Sequence, residues 1–245
     1  MLRRLILHVG PGRTGTSALQ AMFARHSAAL MQRGVHFPPW PGMAEAAAGG
    51  VSSGNGGPLV ALISPCNSGK HYTEAHGLAA LRALHDEAAL TVLYSHEAMA
   101  LFEPERLAFL ADMALSAGFI TQAAYYTRNE EDHARSTFCR MAETGKAPMK
   151  TYEQWRHEFV SPNARHIADL TSVLGAENVL VRSYEAARAD LFGDFCAGVL
   201  GIDRPPGDMP VVNAGAHQPT RVSHMPVRST VVTSTACCAP SNANL

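Results

Sequence analysis

Nowhere in this chain of 245 residues does an apolar run approach the roughly 18 residues needed to cross a bilayer, so no integral membrane segment is expected. The opening MLRRLILHVG has the basic-then-apolar order of a secretory leader, but Gly-Pro-Gly-Arg cuts the apolar part short and an unexported protein is expected. Paired-cysteine motifs are also missing. The five cysteines, Cys66, Cys139, Cys196, Cys237 and Cys238, form no C-x-x-C pair and no His–Cys spacing suited to zinc, so no metal centre is expected. An odd number of thiols favours the reduced state and a cytoplasmic setting, with the adjacent Cys237–Cys238 pair the one place that suggests redox chemistry. Net charge is lacking as well: a formal −1 leaves no global field to recruit nucleic acid or an anionic membrane, while a local basic pocket stays open. What is present, 47% hydrophobic and 17% charged residues, is the composition of a soluble globular chain with material for a sizeable core.

Patterning along the chain alternates between strand and helix. Leu5–Val9 is a short apolar run leading into glycines, which predicts a fully buried strand. Apolar residues at helical spacing predict one helix from Ser17 to about Arg33, stopped by Gly34, and VHFPP predicts a short strand. Residues 39–77, rich in Gly, Ser, Ala and Pro, read as an irregular insertion with a short helix near Met43–Ala48. Beyond it the expected elements are a helix over 78–89, the strand TVLYS (91–95), a helix opened by Pro104, the strand ITQAAYYTR, and a helix over NEEDHARSTFCRMAETG. Helices over 151–159 and 163–174, the strand NVLVRSY and one final helix over EAARADLFGDFCAGVLGI complete the series. Such alternation argues for an α/β fold, a parallel sheet covered by helices on both faces in three layers. Residues 1–202 are expected to form that single domain, and 203–245 an irregular C-terminal tail, its last two dozen residues poorly ordered.

Between the first strand and the first helix lies HVGPGRTGTSAL, residues 8–19. Glycines at 10, 12 and 15 and hydroxyls at 14, 16 and 17 make a turn whose N–H groups and helix dipole suit an anion. Aligned on the nucleotide-triphosphate loop G-x-x-x-x-G-K-[ST], Gly10, Gly15 and Ser17 fit, but Thr16 stands where the lysine belongs. The single cation, Arg13, lies inside the loop instead. Without the lysine that grips the outer phosphates, ATP or GTP hydrolysis is poorly supported.

The stretch resembles the 5′-phosphosulfate loop of the sulfotransferases, P-K-[ST]-G-[ST]-[ST], carried here by residues 11–17 with Arg13 where that family has lysine. The resemblance extends over roughly residues 4–202, apart from 39–77. In YYTRNEEDHARSTF, Arg128 at a strand end and Ser136 eight residues later are similar to the family's 3′-phosphate contacts; an arginine fork and a directional hydroxyl are suited to that task. VLVRSYEAARADLFGDFCAGVLGI looks like the family's late strand-Tyr-Glu segment, which implies that Tyr184 lines the nucleotide pocket; a core tyrosine at a strand end is the alternative. What the resemblance implies is a P-loop-like fold that uses 3′-phosphoadenosine-5′-phosphosulfate (PAPS) as sulfuryl donor, leaves the bisphosphate PAP, and needs no metal. Its donor contacts would be Gly12, Arg13, Thr14, Gly15, Thr16, Ser17, Arg128, Ser136 and Tyr184. The acceptor would be a small molecule, carbohydrate or lipid bearing a hydroxyl or amine.

Sulfuryl transfer needs a base for the acceptor proton and positive charge at the departing phosphate oxygen. The strand TVLYS ends in His96-Glu97, where ligands of parallel sheets bind; His96 is the expected base, with Glu97 as its orienter or as the base itself. Arg13 is the candidate for the leaving group; it stays charged and donates through a wider fork than lysine. His8, His36, His133 and His157 read as structural or surface residues. The 39–77 stretch and the 143–160 stretch, with Tyr152 and Trp155, are the expected acceptor walls. Arg221 and Arg228 are the cations past Arg204. Two other readings stay open on the residues: a P-loop kinase or nucleotide hydrolase, and a catalytically degenerate nucleotide-binding module.

Overall fold

A computed structural model of the chain describes residues 2–63, 74–85, 89–146 and 150–206. Within them, β1 (Arg3–His8), β2 (Val35–His36), β3 (Thr91–Ser95), β4 (Phe119–Thr127) and β5 (Val179–Ser183) form one parallel sheet in the order β2-β3-β1-β4-β5. The register sets Leu5 against Val92 on one side and Thr121 on the other. β1 is unbroken in its apolar character because both faces are covered, and Leu5, Ile6 and Leu7 have no exposed surface.

Alternation of side chains along β1 feeds two cores. Leu5, Leu7 and Val9 join Val92, Tyr94, Phe119 and Tyr125 under α4 (Gly57–Ile63), α5 (Glu74–His85), α6 (Pro104–Ser116) and α9 (Asn163–Leu174). Ile6 joins Leu93, Ala124 and Tyr126 on the opposite face. There α1 (Thr16–Arg25), α2 (Ser27–Met31), α3 (Met43–Ala47), α10 (Tyr184–Ala187) and α11 (Leu191–Phe195) supply Leu19, Phe23, Leu30, Ala46, Ala187 and Phe195. α7 (Glu130–Glu143) and α8 (Tyr152–Glu158) follow β4. The expected three-layer α/β arrangement is therefore present, and no helix among the described residues is long and apolar enough to cross a membrane.

Strand order makes β1 the switch point. The chain runs outward to β2, returns to β3, then crosses to β4 and β5 on the other side. Connections leaving the carboxyl ends of β1, β3, β4 and β5 thus meet over one crevice, the place where open α/β sheets bind ligands.

Several elements differ from expectation. The helix expected over 17–33 divides at His26, whose non-helical backbone (φ −103°) separates α1 from α2. The 39–77 stretch contains α3, as expected, but also α4 and the start of α5; Pro58, in the first turn of α4, needs no intrahelical N–H partner there. The final helix is interrupted: Asp190 leaves helical geometry, accepts the Gly193 N–H and starts α11 afresh, and Cys196–Leu200 closes as a π-turn. The tail from residue 207 onward, with Arg221, Arg228 and Cys237–Cys238, lies outside the described residues.

Asn55 shows why the 39–77 stretch belongs to the sheet. Its amide donates to the Leu93 carbonyl (3.0 Å) and the Pro38 carbonyl (3.3 Å), and its oxygen accepts the Ser95 N–H at 2.8 Å. The Ser95 hydroxyl in turn meets His8 Nδ1 at 2.8 Å and Gln20 Nε2 at 3.1 Å. Complete burial pushes the His8 imidazole down to about 3, so this ring is neutral and structural. Asn55→Ala would leave three buried backbone groups without that partner. The expected loss is about 2 kcal/mol or more of unfolding free energy, measured by denaturant titration. A loss below ~0.5 kcal/mol, within the range of ordinary surface substitutions, would contradict the anchoring role.

Candidate functional site

The loop after β1 is shaped by its own hydrogen bonds and by two left-handed residues. Val9 N–H still reaches the Ala124 carbonyl (3.0 Å), and Thr14 Oγ1 donates back to the Pro11 carbonyl at 2.9 Å. Gly15 (φ +80°) begins α1, and Arg13 (φ +76°) is the one non-glycine with positive φ among the described residues. Such a backbone costs a side-chain-bearing residue on the order of 1–2 kcal/mol. Gly15 has a second reason to lack a side chain: a Cβ there would run into Leu191 and Tyr184.

No backbone carbonyl among the described residues accepts from the N–H groups of Gly12 to Ala18. Thr16 Oγ1 is buried beside them, also without a partner. Consecutive unspent donors at the positive end of a helix are the chemistry of an anion cradle.

β4 and α7 hold this loop. Arg128 Nη1 donates to the Arg13 carbonyl at 2.6 Å, and Arg13 Nε donates to Ser136 Oγ at 2.7 Å. The Arg128 guanidinium lies 5.2 Å from the centroid of the Tyr184 ring, a cation–π arrangement that fixes its plane. Its Nε is buried without a partner, a charged donor still to be satisfied. Asn129 caps α7 by accepting from Glu131 and Asp132 N–H, which places Ser136 about two turns along. The residues expected to bind donor are therefore brought together: Gly12, Thr14, Gly15, Thr16 and Ser17 in the loop, with Arg13, Arg128, Ser136 and Tyr184 around it.

The β3 end presents both candidate bases, in different ways. His96 Nδ1 accepts the Ala98 N–H at 3.1 Å, which closes the 3₁₀ turn Glu97–Leu101. With Nδ1 spent as an acceptor, the neutral ring carries its proton on Nε2 and presents a donor to the cleft. Burial lowers the His96 pKa from its ordinary value. Glu97 is exposed, and its carboxylate stands 3.4 Å from the point where a Cβ on Gly12 would lie.

A cleft of about 930 Å³ is lined by the expected residues Gly12, Arg13, Gly15, Thr16, Ser17, His96, Glu97, Arg128 and Tyr184, whereas Thr14 and Ser136 lie behind its wall. Arg13, Arg128, Arg140 and Arg188 line it, against Glu97 as the one acid, so the local field is positive in a chain of net charge −1. Val51, Ser52 and Ser53 line it from the 39–77 stretch. Tyr152 and Trp155 do not. They pack with Phe138 between α7 and α8, and the Tyr152 hydroxyl donates to Glu131 at 2.6 Å. The second wall is one face of α7, with His133, Thr137 and Arg140 at helical spacing, continued by Thr144, the one described residue of the 143–160 stretch that lines the cleft. His133, expected to be structural or at the surface, is 4% exposed and borders the cleft. That spacing, continued from Ser136, is legible in the sequence; its direction toward the loop is not.

No protein-family profile matches the chain, and no curated protein sequence matches it. Among solved structures it is similar to a sulfotransferase from Alicyclobacillus acidocaldarius, at 17% identity and a TM-score of 0.49 over 84% of each chain. It is also similar to the sulfotransferase domain of the curacin biosynthetic pathway (17% identity, TM-score 0.48, 88% of this chain and 82% of that one). A third is retinol dehydratase, solved with androsterone and the inactive cofactor PAP (14% identity, TM-score 0.40, 81% of this chain and 60% of that one).

The tautomer of His96 has a direct readout. In ¹⁵N spectra at pH 7, His96 is expected to be neutral with the proton on Nε2 and to titrate below 6.5. A proton on Nδ1, or a midpoint above that value, would contradict the geometry.

Proposed function

We propose that this protein is a sulfotransferase that moves a sulfuryl group from PAPS to a hydroxyl or amine of a small-molecule, carbohydrate or lipid acceptor. The observation that carries the reading is the wiring of a lysine-free anion loop to a second cationic contact: Arg128 and Ser136 both bond to Arg13. The donor needs two anion sites at fixed separation, and these residues are suited to both. The loop N–H groups of residues 12–18 and Thr16 Oγ1 would hold the 5′ end, with Arg128, through its unpaired Nε, and Ser136 on the 3′-phosphate. Tyr184 would border the nucleotide from the side of Arg128.

In the reaction the acceptor oxygen forms a bond to sulfur, the bond from sulfur to the 5′-phosphate oxygen breaks with its electron pair on that oxygen, and the acceptor proton goes to a base. Glu97 takes that proton, because its carboxylate reaches over Gly12 into the cleft. His96 serves as a neutral donor to the sulfuryl oxygens, since a nitrogen that already holds its proton accepts no other. Arg13, held beside the loop, stabilises negative charge on the departing phosphate and takes no part in proton transfer. No divalent cation enters this scheme. The catalytic unit spans residues 1–202 and works in the cytoplasm.

Adenosine 3′,5′-bisphosphate tests the reading through thermal stability. It is expected to raise the melting temperature without magnesium, with affinity reduced about tenfold or more in Arg128→Ala. No shift would overturn the reading, and a shift with ATP alone and only in the presence of magnesium would favour a kinase or hydrolase. With donor and an acceptor panel, Glu97→Gln is expected to lose about 10²-fold or more in turnover while binding the bisphosphate normally. Full activity in Glu97→Gln would overturn the assignment of the base.

A further inference from the structure

His166 has no part in the scheme above, although it borders the same cleft from α9, about one turn after Asn163. A chain of hydrogen bonds fixes where its proton sits. The Arg128 carbonyl can only accept, so it is the Asn163 amide nitrogen that faces it, at 3.3 Å. The Asn163 oxygen then faces the Tyr125 hydroxyl at 3.1 Å, and since that oxygen also only accepts, the Tyr125 proton points to it. Burial raises the Tyr125 pKa and keeps that proton in place. His166 Nδ1, 3.2 Å from the same hydroxyl oxygen, is left to donate. The neutral ring therefore carries its proton on Nδ1, and Nε2, on the ring edge away from Tyr125, presents a lone pair to the cleft. Burial lowers the His166 pKa, which favours that neutral ring.

The cleft face of α7 has the same polarity. Thr137 Oγ1 donates its one proton to the His133 carbonyl at 2.8 Å, and Thr144 Oγ1 donates to the Arg140 carbonyl at 2.9 Å. Each hydroxyl has thus spent its donor on the helix backbone and has only lone pairs left for the cleft that both residues line.

We propose that His166, Thr137 and Thr144 form a wall of hydrogen-bond acceptors that selects a neutral polyhydroxylated substrate, a sugar or other polyol, for sulfation. This rests on the sulfotransferase reading of the cleft and narrows its acceptor. Three acceptors call for several donors on the ligand. A monohydric lipid or phenol has one O–H, and the base takes that proton. An amine has more, but it is an ammonium at pH 7, and the arginines lining the cleft repel it. The hydroxyls of a polyol donate without charge. Val51 and Leu101, both exposed at the cleft, offer apolar contact for the carbons between those hydroxyls.

Release of the bisphosphate from PAPS over a matched acceptor panel tests the proposal: methyl glucoside, cis-1,2-cyclohexanediol, cyclohexanol and cyclohexylamine. Wild-type kcat/KM is expected to be about tenfold or more higher for the glucoside and the diol than for the other two. His166→Leu and Thr137→Val are each expected to cut that ratio by about tenfold, chiefly through KM. His166→Gln, which keeps an acceptor oxygen, is expected to restore most of it. The ratio is read within one protein, so a loss of folded enzyme leaves it unchanged. Wild-type turnover of cyclohexanol that equals or exceeds that of the diol, or no turnover of any member by protein that binds the bisphosphate, overturns the proposed class. An unchanged ratio in His166→Leu and Thr137→Val, or no recovery in His166→Gln, overturns the role of the wall. Protein that does not bind the bisphosphate overturns the reading of the cleft itself, which separates the two failures. A further readout needs no acceptor: in ¹⁵N spectra His166 is expected to be neutral with its proton on Nδ1, and a proton on Nε2 would contradict the proposal.

Discussion

The 2.6 Å bond from Arg128 to the Arg13 carbonyl is the contact around which the cleft is organised. It joins the two halves of the sheet at their switch point, tying the loop after β1 to the end of β4. It also uses one edge of a guanidinium whose Nε is left for something else, and whose plane is set by Tyr184. Remove it, and the left-handed arginine loses its backbone anchor, the Thr14 N–H loses its direction, and Arg128 itself is free to swing. A charge-assisted bond of this kind contributes about 1.5–3 kcal/mol, comparable to the conformational cost it offsets at Arg13.

Beneath the loop, a second polar layer keeps the ends of β1 and β3 in register. Ser95 is bonded to His8, Gln20 and Asn55 at once, and Asn55 carries the connection outward to the 39–77 stretch. Such a network is destabilising unless its members are paired, and most of them are. It lets one loop approach the anion loop closely enough for Ser52 and Ser53 to share the cleft with Glu97. Local rigidity beneath the site and unspent donors above it are thus parts of one arrangement.

Much of this was legible in the residue order. The apolar run at Leu5–Val9 and the glycines of the loop each state a local requirement that the structure meets, and the Arg128–Ser136 spacing brings both side chains to Arg13. The helix start marked by Pro104 was legible for the same reason. What escaped were properties set by distant neighbours. His96 and Glu97 are adjacent in sequence and both are candidate bases there, and only the structure shows that His96 Nδ1 is occupied by the Ala98 N–H. His133 reads like any helix histidine until its burial at the border of the cleft is seen. Tyr152 and Trp155 have the composition of a ligand wall but are consumed in packing against Phe138. α4 was hidden by the Gly and Pro around it, which mark turns more often than they begin helices.

Whether the donors from Gly12 to Ala18 meet an anion decides everything built on them. The most direct measurement is the backbone amide spectrum of uniformly ¹⁵N-labelled protein titrated with adenosine 3′,5′-bisphosphate in the absence of magnesium. The expected result is large downfield shifts confined to Arg13–Ala18, together with a change at the Arg128 Nε–H as it gains an acceptor. Saturable binding that leaves those amides in place would contradict the assignment of the cleft.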